Sequence, residues 1–204
     1  MRDRRTQIID AAAGLIRRNG YTQTSVDDVI REARLCGKGH FYHYFKSKEE
    51  LGYAVLQRQF EQFAERGLSI LRDPMADPFD RLNRFIDAVV AAQAERGCQG
   101  GCPFANFAGE MADVHEGFRR QIETVFERWT EQVRALLWEA RPRLAEGVDI
   151  ARLARFIVAT LEGAMLMARV QRELGVLEGI AEDLKRFIAM HTRERAAATA
   201  AGAA

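Results

Sequence analysis

Apolar residues recur at three- and four-residue spacing along nearly the whole 204-residue chain, and no segment alternates with the two-residue period of a strand. That single periodicity dictates an all-α fold and excludes sheet architectures. Ile8, Ile9, Ala12, Leu15 and Ile16 form one helical face that stops at Asn19-Gly20. "TSVDDVIREA" restarts it, with Ser25 and Asp28 at capping-box spacing and Val26, Val29, Ile30 and Ala33 in helical register. A short third helix follows "RLCG". Ser47 and Glu50 then make a second capping box, opening a fourth helix to about Leu71.

Beyond the prolines of "DPMADP" the pattern predicts helices at about 79–96, 103–113, 117–140, 150–174 and 177–191. "GCQGGCP" reads as a flexible loop, and the alanine-rich end, 196–204, as a frayed tail. With 48% hydrophobic and 29% charged residues the chain can bury a core, and no run of about 18 uncharged apolar residues predicts a membrane span. The N-terminus turns amphipathic at once, unlike a signal peptide, and three cysteines suit a reducing, cytoplasmic setting.

The third helix carries six consecutive ring side chains, His40, Phe41, Tyr42, His43, Tyr44 and Phe45. Phe41 and Phe45, four apart, can anchor it, leaving His40, Tyr42, His43 and Tyr44 to present polar tips. Rigid rings that each orient one N–H or O–H are good phosphate donors, and Lys48 opens the next helix where free backbone N–H groups favour an anion. Three short helices with a tight turn between the second and third make a helix-turn-helix layout. Charge permits a nucleic-acid partner there: residues 1–52 carry ten Lys/Arg against seven Asp/Glu, a net of +3, and the rest twenty against twenty-two, −2. A solvent-exposed amphipathic turn or a His/Tyr metal site are the competing readings, and neither explains the capped helix upstream so well.

"SVDDVIREA" and "KGHFYHYFKSKEEL" resemble the TetR family of one-component bacterial transcriptional regulators, most strongly over residues 5–52. "GCPFANFAGEM" and "LEGAMLMARV", within residues 101–173, are more loosely similar to one subgroup's ligand-binding domain. The resemblance implies a three-helix DNA-binding domain (1–47) and a helical ligand-binding and dimerisation domain (48–195). It also implies a homodimeric repressor that leaves a palindromic double-stranded DNA operator when a small-molecule effector binds. Ser25 would cap its helix and touch a phosphate; Lys38, Gly39 and His40 would face the major groove; Tyr42, His43 and Lys48 would hold phosphates. "ARLCGKG" is one residue longer than the commonest family turn, an excess Gly37 would absorb.

In the second half, Phe104, Phe107, Met111, Phe126, Trp129, Met165 and Met167 are candidates for an apolar ligand pocket, with ordinary core as the competing reading. Asn106 and Glu110, four apart, either orient a ligand or merely cap and solvate; Glu162, in an apolar run, requires a partner that Arg169 could supply. By the family's bundle, Gly163, Ala164, Leu184, Phe187 and Ile188 form the dimer seam. Cys98 and Cys102 flank two glycines, and Cys102 precedes Pro103 at a helix start, a setting that stabilises thiolate. Some regulators with a similar segment respond to electrophiles or oxidants; buried inert thiols or a pocket wall are the alternatives. Zinc lacks a fourth ligand beside Cys98, Cys102 and His115. No nucleophile–base pair, metal motif or phosphate loop supports an enzyme or a cofactor. A helical dimer that binds a small apolar ligand without DNA would explain the second half but not "FYHYFKSKEEL".

Overall fold

The computed structural model describes residues 3–193, so the tail at 196–204 lies outside the described residues. All regular elements among them are helical, beside one isolated bridge pair, Leu144 and Thr192. The chain divides into two compact units: residues up to Phe63 with Cys102–Val125, and Ala64–Gly101 with the chain from Phe126 onward.

In the first unit, α1 (Arg4–Asn19) buries the face read from its periodicity, Ile8, Ile9, Ala12, Leu15 and Ile16. It ends at Gly20, whose φ of +88° suits glycine and whose N–H reaches Ile16 O at 2.8 Å. α2 (Val26–Glu32) has both halves of its capping box: Ser25 Oγ accepts from Asp28 N, and Asp28 Oδ2 accepts from Ser25 N. Arg34 (φ +50°) and Gly37 (φ +150°) turn the chain into α3 (Lys38–Tyr44), and at Gly37 a side chain would be strained. Phe41 and Phe45, 0% and 1% exposed, pin α3 to the unit, each contributing about 1.5–3 kcal/mol.

At the start of α4 (Lys48–Phe63), Glu50 N donates to Ser47 Oγ, one half of the expected second box, while the Glu50 carboxylate accepts from Lys46 N, one residue before Ser47. α7 (Pro103–Met111) and α8 (Glu116–Glu139, as far as Val125) complete the unit. They bring Phe107 and Phe118 to within 5.2 and 5.0 Å of the Tyr21 ring. A boundary at 47/48 follows the motif; the compact unit extends past it because α4, α7 and this aromatic cluster share one core.

In the second unit a π turn, Ala64–Leu68, precedes α5 (Ser69–Leu71). The helix expected to run unbroken to Leu71 therefore changes its hydrogen-bond register. α6 (Pro78–Ala94) is capped by Asp77, which accepts from Phe79 N and Asp80 N. Buried Arg81 donates to Leu71 O at 3.1 Å and pairs with Glu139. α9 (Ile150–Gln171) is capped by Asp149 and ends at left-handed Arg172, φ +54°; α10 (Leu174–Met190) follows. Leu153, Ile157, Leu161, Ala164 and Met165 of α9 face this unit's core with Leu177, Ala181, Leu184 and Ile188 of α10.

Candidate nucleic-acid interface

With Phe41 spent on the core, the helical period turns the other α3 side chains outward. Lys38, Gly39 and His43 are exposed, His40 is half-buried, and Tyr42 is 51% exposed. Lys38 Nζ lies 3.4 Å from Asp27 Oδ2, an exposed pair that leaves the ammonium in solvent. His40 and His43 flank Tyr44 at ring separations of 5.8 and 4.9 Å, which orders the rings without burying their tips. A Cβ built on Gly39 would meet nothing within 4 Å, so packing inside the chain gives no reason for glycine there. Ser25 sits exposed at the α2 N-terminus.

Lys48, expected to hold a phosphate, also has a partner within the chain. Its Nζ donates to Thr22 O at 3.1 Å and lies 4.6 Å from the Tyr21 ring centroid. Burial depresses its pKa, with Glu110 opposing. The ammonium binds the α1–α2 corner together with Glu110, a residue whose role the sequence left open. The Glu110 carboxylate accepts from Tyr21 N at 3.0 Å, Thr22 N at 2.8 Å and Thr22 Oγ1 at 2.6 Å. No short-range pattern could have revealed it, because these partners lie 88 and 89 residues away.

The residues nominated for ligand divide between the two compact units. Phe104 and Phe107 are buried in the first unit, near Phe60, Phe63, Tyr21 and Phe118, and Met111 is half-buried. In the second unit, Phe126 stacks 6.4 Å from buried Trp129, and Met165 Sδ accepts from Gln93 Nε2 at 3.2 Å. Met167 is 47% exposed, on the α9 face opposite Met165, which removes it from the interior. Of the seam residues, Gly163 and Phe187 are exposed, whereas Ala164, Leu184 and Ile188 are buried in their own chain: each step along a helix turns the side chain by about 100°, so adjacent positions can fall on either side of the boundary between its buried and open faces. Cys98 and Cys102 are 5% and 8% exposed, so the glycine loop folds both sulfurs inward rather than presenting them, and Cys36 is the exposed cysteine.

A capped helix, a glycine-relieved turn and a second helix that buries two phenylalanines while offering a lysine, a tyrosine and two histidines define a helix-turn-helix DNA-binding regulator. The tetR family of bacterial regulatory proteins matches residues 8–55, and the C-terminal domain of LmrA/YxaF-like transcriptional regulators matches residues 78–183. The chain belongs to the TetR family of transcriptional regulators, with an LmrA/YxaF-like C-terminal domain. The HTH-type transcriptional repressor DhaR of Mycobacterium sp. strain GP1 is 28% identical over 170 residues, covering 82% of this chain and 83% of that one. A TetR transcriptional regulator from Chloroflexus aurantiacus superposes with a TM-score of 0.83 at 30% identity, covering 93% and 96% of the two chains. The regulatory protein TetR from Rhodobacter sphaeroides does so at 0.82 and 28%, covering 92% and 97%.

Proposed function

We propose that the chain is a homodimeric, non-enzymatic cytoplasmic repressor that grips a palindromic operator through α3 and releases it when a small-molecule effector binds. The observation that carries this reading is the division of labour on α3: Phe41 and the following Phe45 fully buried, Lys38, Gly39, Tyr42 and His43 outward. Gly39 strengthens it, because bare backbone with no internal reason for it is what close approach to base edges requires. Lys38, Gly39 and His40 read the groove, while Ser25, Tyr42 and His43 hold phosphates; Lys48 contributes through the corner it fixes. Repression agrees with the described activity of DhaR. Residues 1–47 make up the DNA-reading head and 48–195 the effector and dimerisation part. In the latter, Phe104, Phe107 and Met111 are the candidate effector contacts within the first compact unit, and Phe126, Trp129 and Met165 those within the second.

No helix among the described residues is long and apolar enough to cross a membrane. α9 and α10 carry exposed Phe156, Leu166, Met167, Val170, Phe187 and Met190, a face that a second copy would cover. The test is selection of duplexes from a random library, followed by mobility shift on the selected sequence. The expected product is a two-fold symmetric site whose half-sites lie one helical turn apart, about 34–36 Å. A protein that enriches no sequence, or that binds all duplexes alike, does not have this function.

A further inference from the structure

α7 belongs by sequence to the segment matching the C-terminal regulatory domain, yet its last turn holds the DNA-binding helices. The Glu110 carboxylate takes three hydrogen bonds from two consecutive residues, Tyr21 and Thr22, at the corner that joins α1 to α2. That corner is shaped to receive it: a Cβ on Gly20 would come within 2.8 Å of Glu110 Oε1. Lys48 grips the same corner from α4, through Thr22 O. The carboxylate of α7 therefore holds the corner's N–H groups while the ammonium of α4 holds a carbonyl. From the corner to the DNA-facing surface is a short, stiff path. Thr24 Oγ1 donates to Gly20 O at 2.7 Å, and Ser25 next to it caps α2. Phe107, one turn before Glu110, packs on the Tyr21 ring, so rotation of α7 shifts both grips together. Burial disfavours the Glu110 charge, but the Thr22 and Tyr21 donors and Lys48 outweigh it and hold the carboxyl below its usual range. The clamp is therefore ionised at neutral pH.

We propose that Glu110 is a positioning residue for operator binding: it transmits the position of α7 to the α1–α2 corner and so sets where α2 and Ser25 meet the DNA. This rests on the operator reading above and adds the element through which a displaced α7 would release it. The effect has a sign that separates it from simple electrostatics. Glu110→Gln removes a negative charge from the DNA-binding unit, which by Coulomb attraction alone would tighten DNA binding. Loss of the clamp loosens it instead.

The experiment uses the full-length protein and the duplex that the wild type selects. Glu110→Gln is expected to weaken operator binding about tenfold, within the usual span of coupling between sites. The salt dependence should stay unchanged, because no phosphate contact is lost. The Tyr21 and Thr22 amides should exchange faster with solvent. Thr22→Val, which deletes a single donor, should weaken binding less, and the double variant should be no weaker than Glu110→Gln, because the two share one interaction. Equal or tighter binding by Glu110→Gln overturns the proposal. So does a loss accounted for wholly by the unfolded fraction at the assay temperature, or strict additivity of the two substitutions. A wild type that selects no duplex overturns the operator reading and this inference with it, whereas the other outcomes remove Glu110 alone.

Discussion

Two glycines show how differently one residue type is constrained within a single unit. A Cβ on Gly52 of α4 would stand 2.7 Å from Tyr21 Cε2 and 2.8 Å from Phe118 Cζ, ring edges already held in a packed cluster. Gly52→Ala should therefore cost about 1–3 kcal/mol, read as a lower urea midpoint with an unchanged slope. An unchanged midpoint would mean that the rings yield without penalty. Gly39→Ala has no such neighbour inside the chain and lies on a helix, where alanine gains up to about 1 kcal/mol over glycine. Its thermal midpoint should stay or rise while operator affinity falls, since the new methyl projects toward the groove. Affinity that survives Gly39→Ala would move the reading surface elsewhere on α3. Tyr21 adds a pH signature. Burial, then the charges of Glu49 and Tyr53, push its hydroxyl up to about 12, so folding favours the protonated form. Its contribution is complete below the unfolded value of 10.0 and is lost as pH rises through about 12. Alkaline unfolding of Tyr21→Phe should lack that loss, measured as a shallower fall of stability between those limits; a parallel fall in both proteins would assign it to other groups.

At the scale of elements, α2 is only seven residues long, too short to hold itself by backbone hydrogen bonds, so its cap and its neighbours set its stability. Ser25→Ala removes the side chain that accepts from Asp28 N and should cost about 0.5–2 kcal/mol, readable by chemical denaturation. A negligible change would show that packing through Val29 alone defines the helix start. The α2 capping box and the Ser47 cap on Glu50 N were legible in the sequence because their partners lie three residues apart, and the α3 anchors because four-residue spacing fixes a helix face. The breaks that misled are those without a local cause. The π turn at Ala64–Leu68 follows no proline, and the chain leaves α9 at left-handed Arg172 rather than at a glycine, so the expected ends at 174 and 177 missed both the stop and the new start at Leu174. Glu110 was visible only as one of two polar residues on a helix face, since what decides its role is a corner 88 residues away.

For the whole molecule, the distinction that periodicity could not make was between the two apolar faces of α9 and α10. Both are hydrophobic; one is covered by the chain itself, and the other is open along Phe156, Gly163, Leu166, Met167 and Val170, beside Phe187 and Met190 of α10. The Phe156 and Phe187 rings lie 4.8 Å apart and join the two helices into one surface. Covering one such side chain by a second copy is worth about 1.5–3 kcal/mol, so a few per subunit suffice for a micromolar dimer once the entropy of association is offset. Val170, 74% exposed, is the position for a test that spares the fold, because an aspartate there has water around it in the single chain. In a dimer seam the same aspartate and its symmetry copy would both lose that water, a cost of several kcal/mol. Val170→Asp should sediment as a monomer at micromolar concentration with a helical signal equal to the wild type. Its affinity for the full operator should fall toward that for a single half-site. A variant that remains dimeric would place the contact between subunits on another face and leave this apolar surface to a different partner.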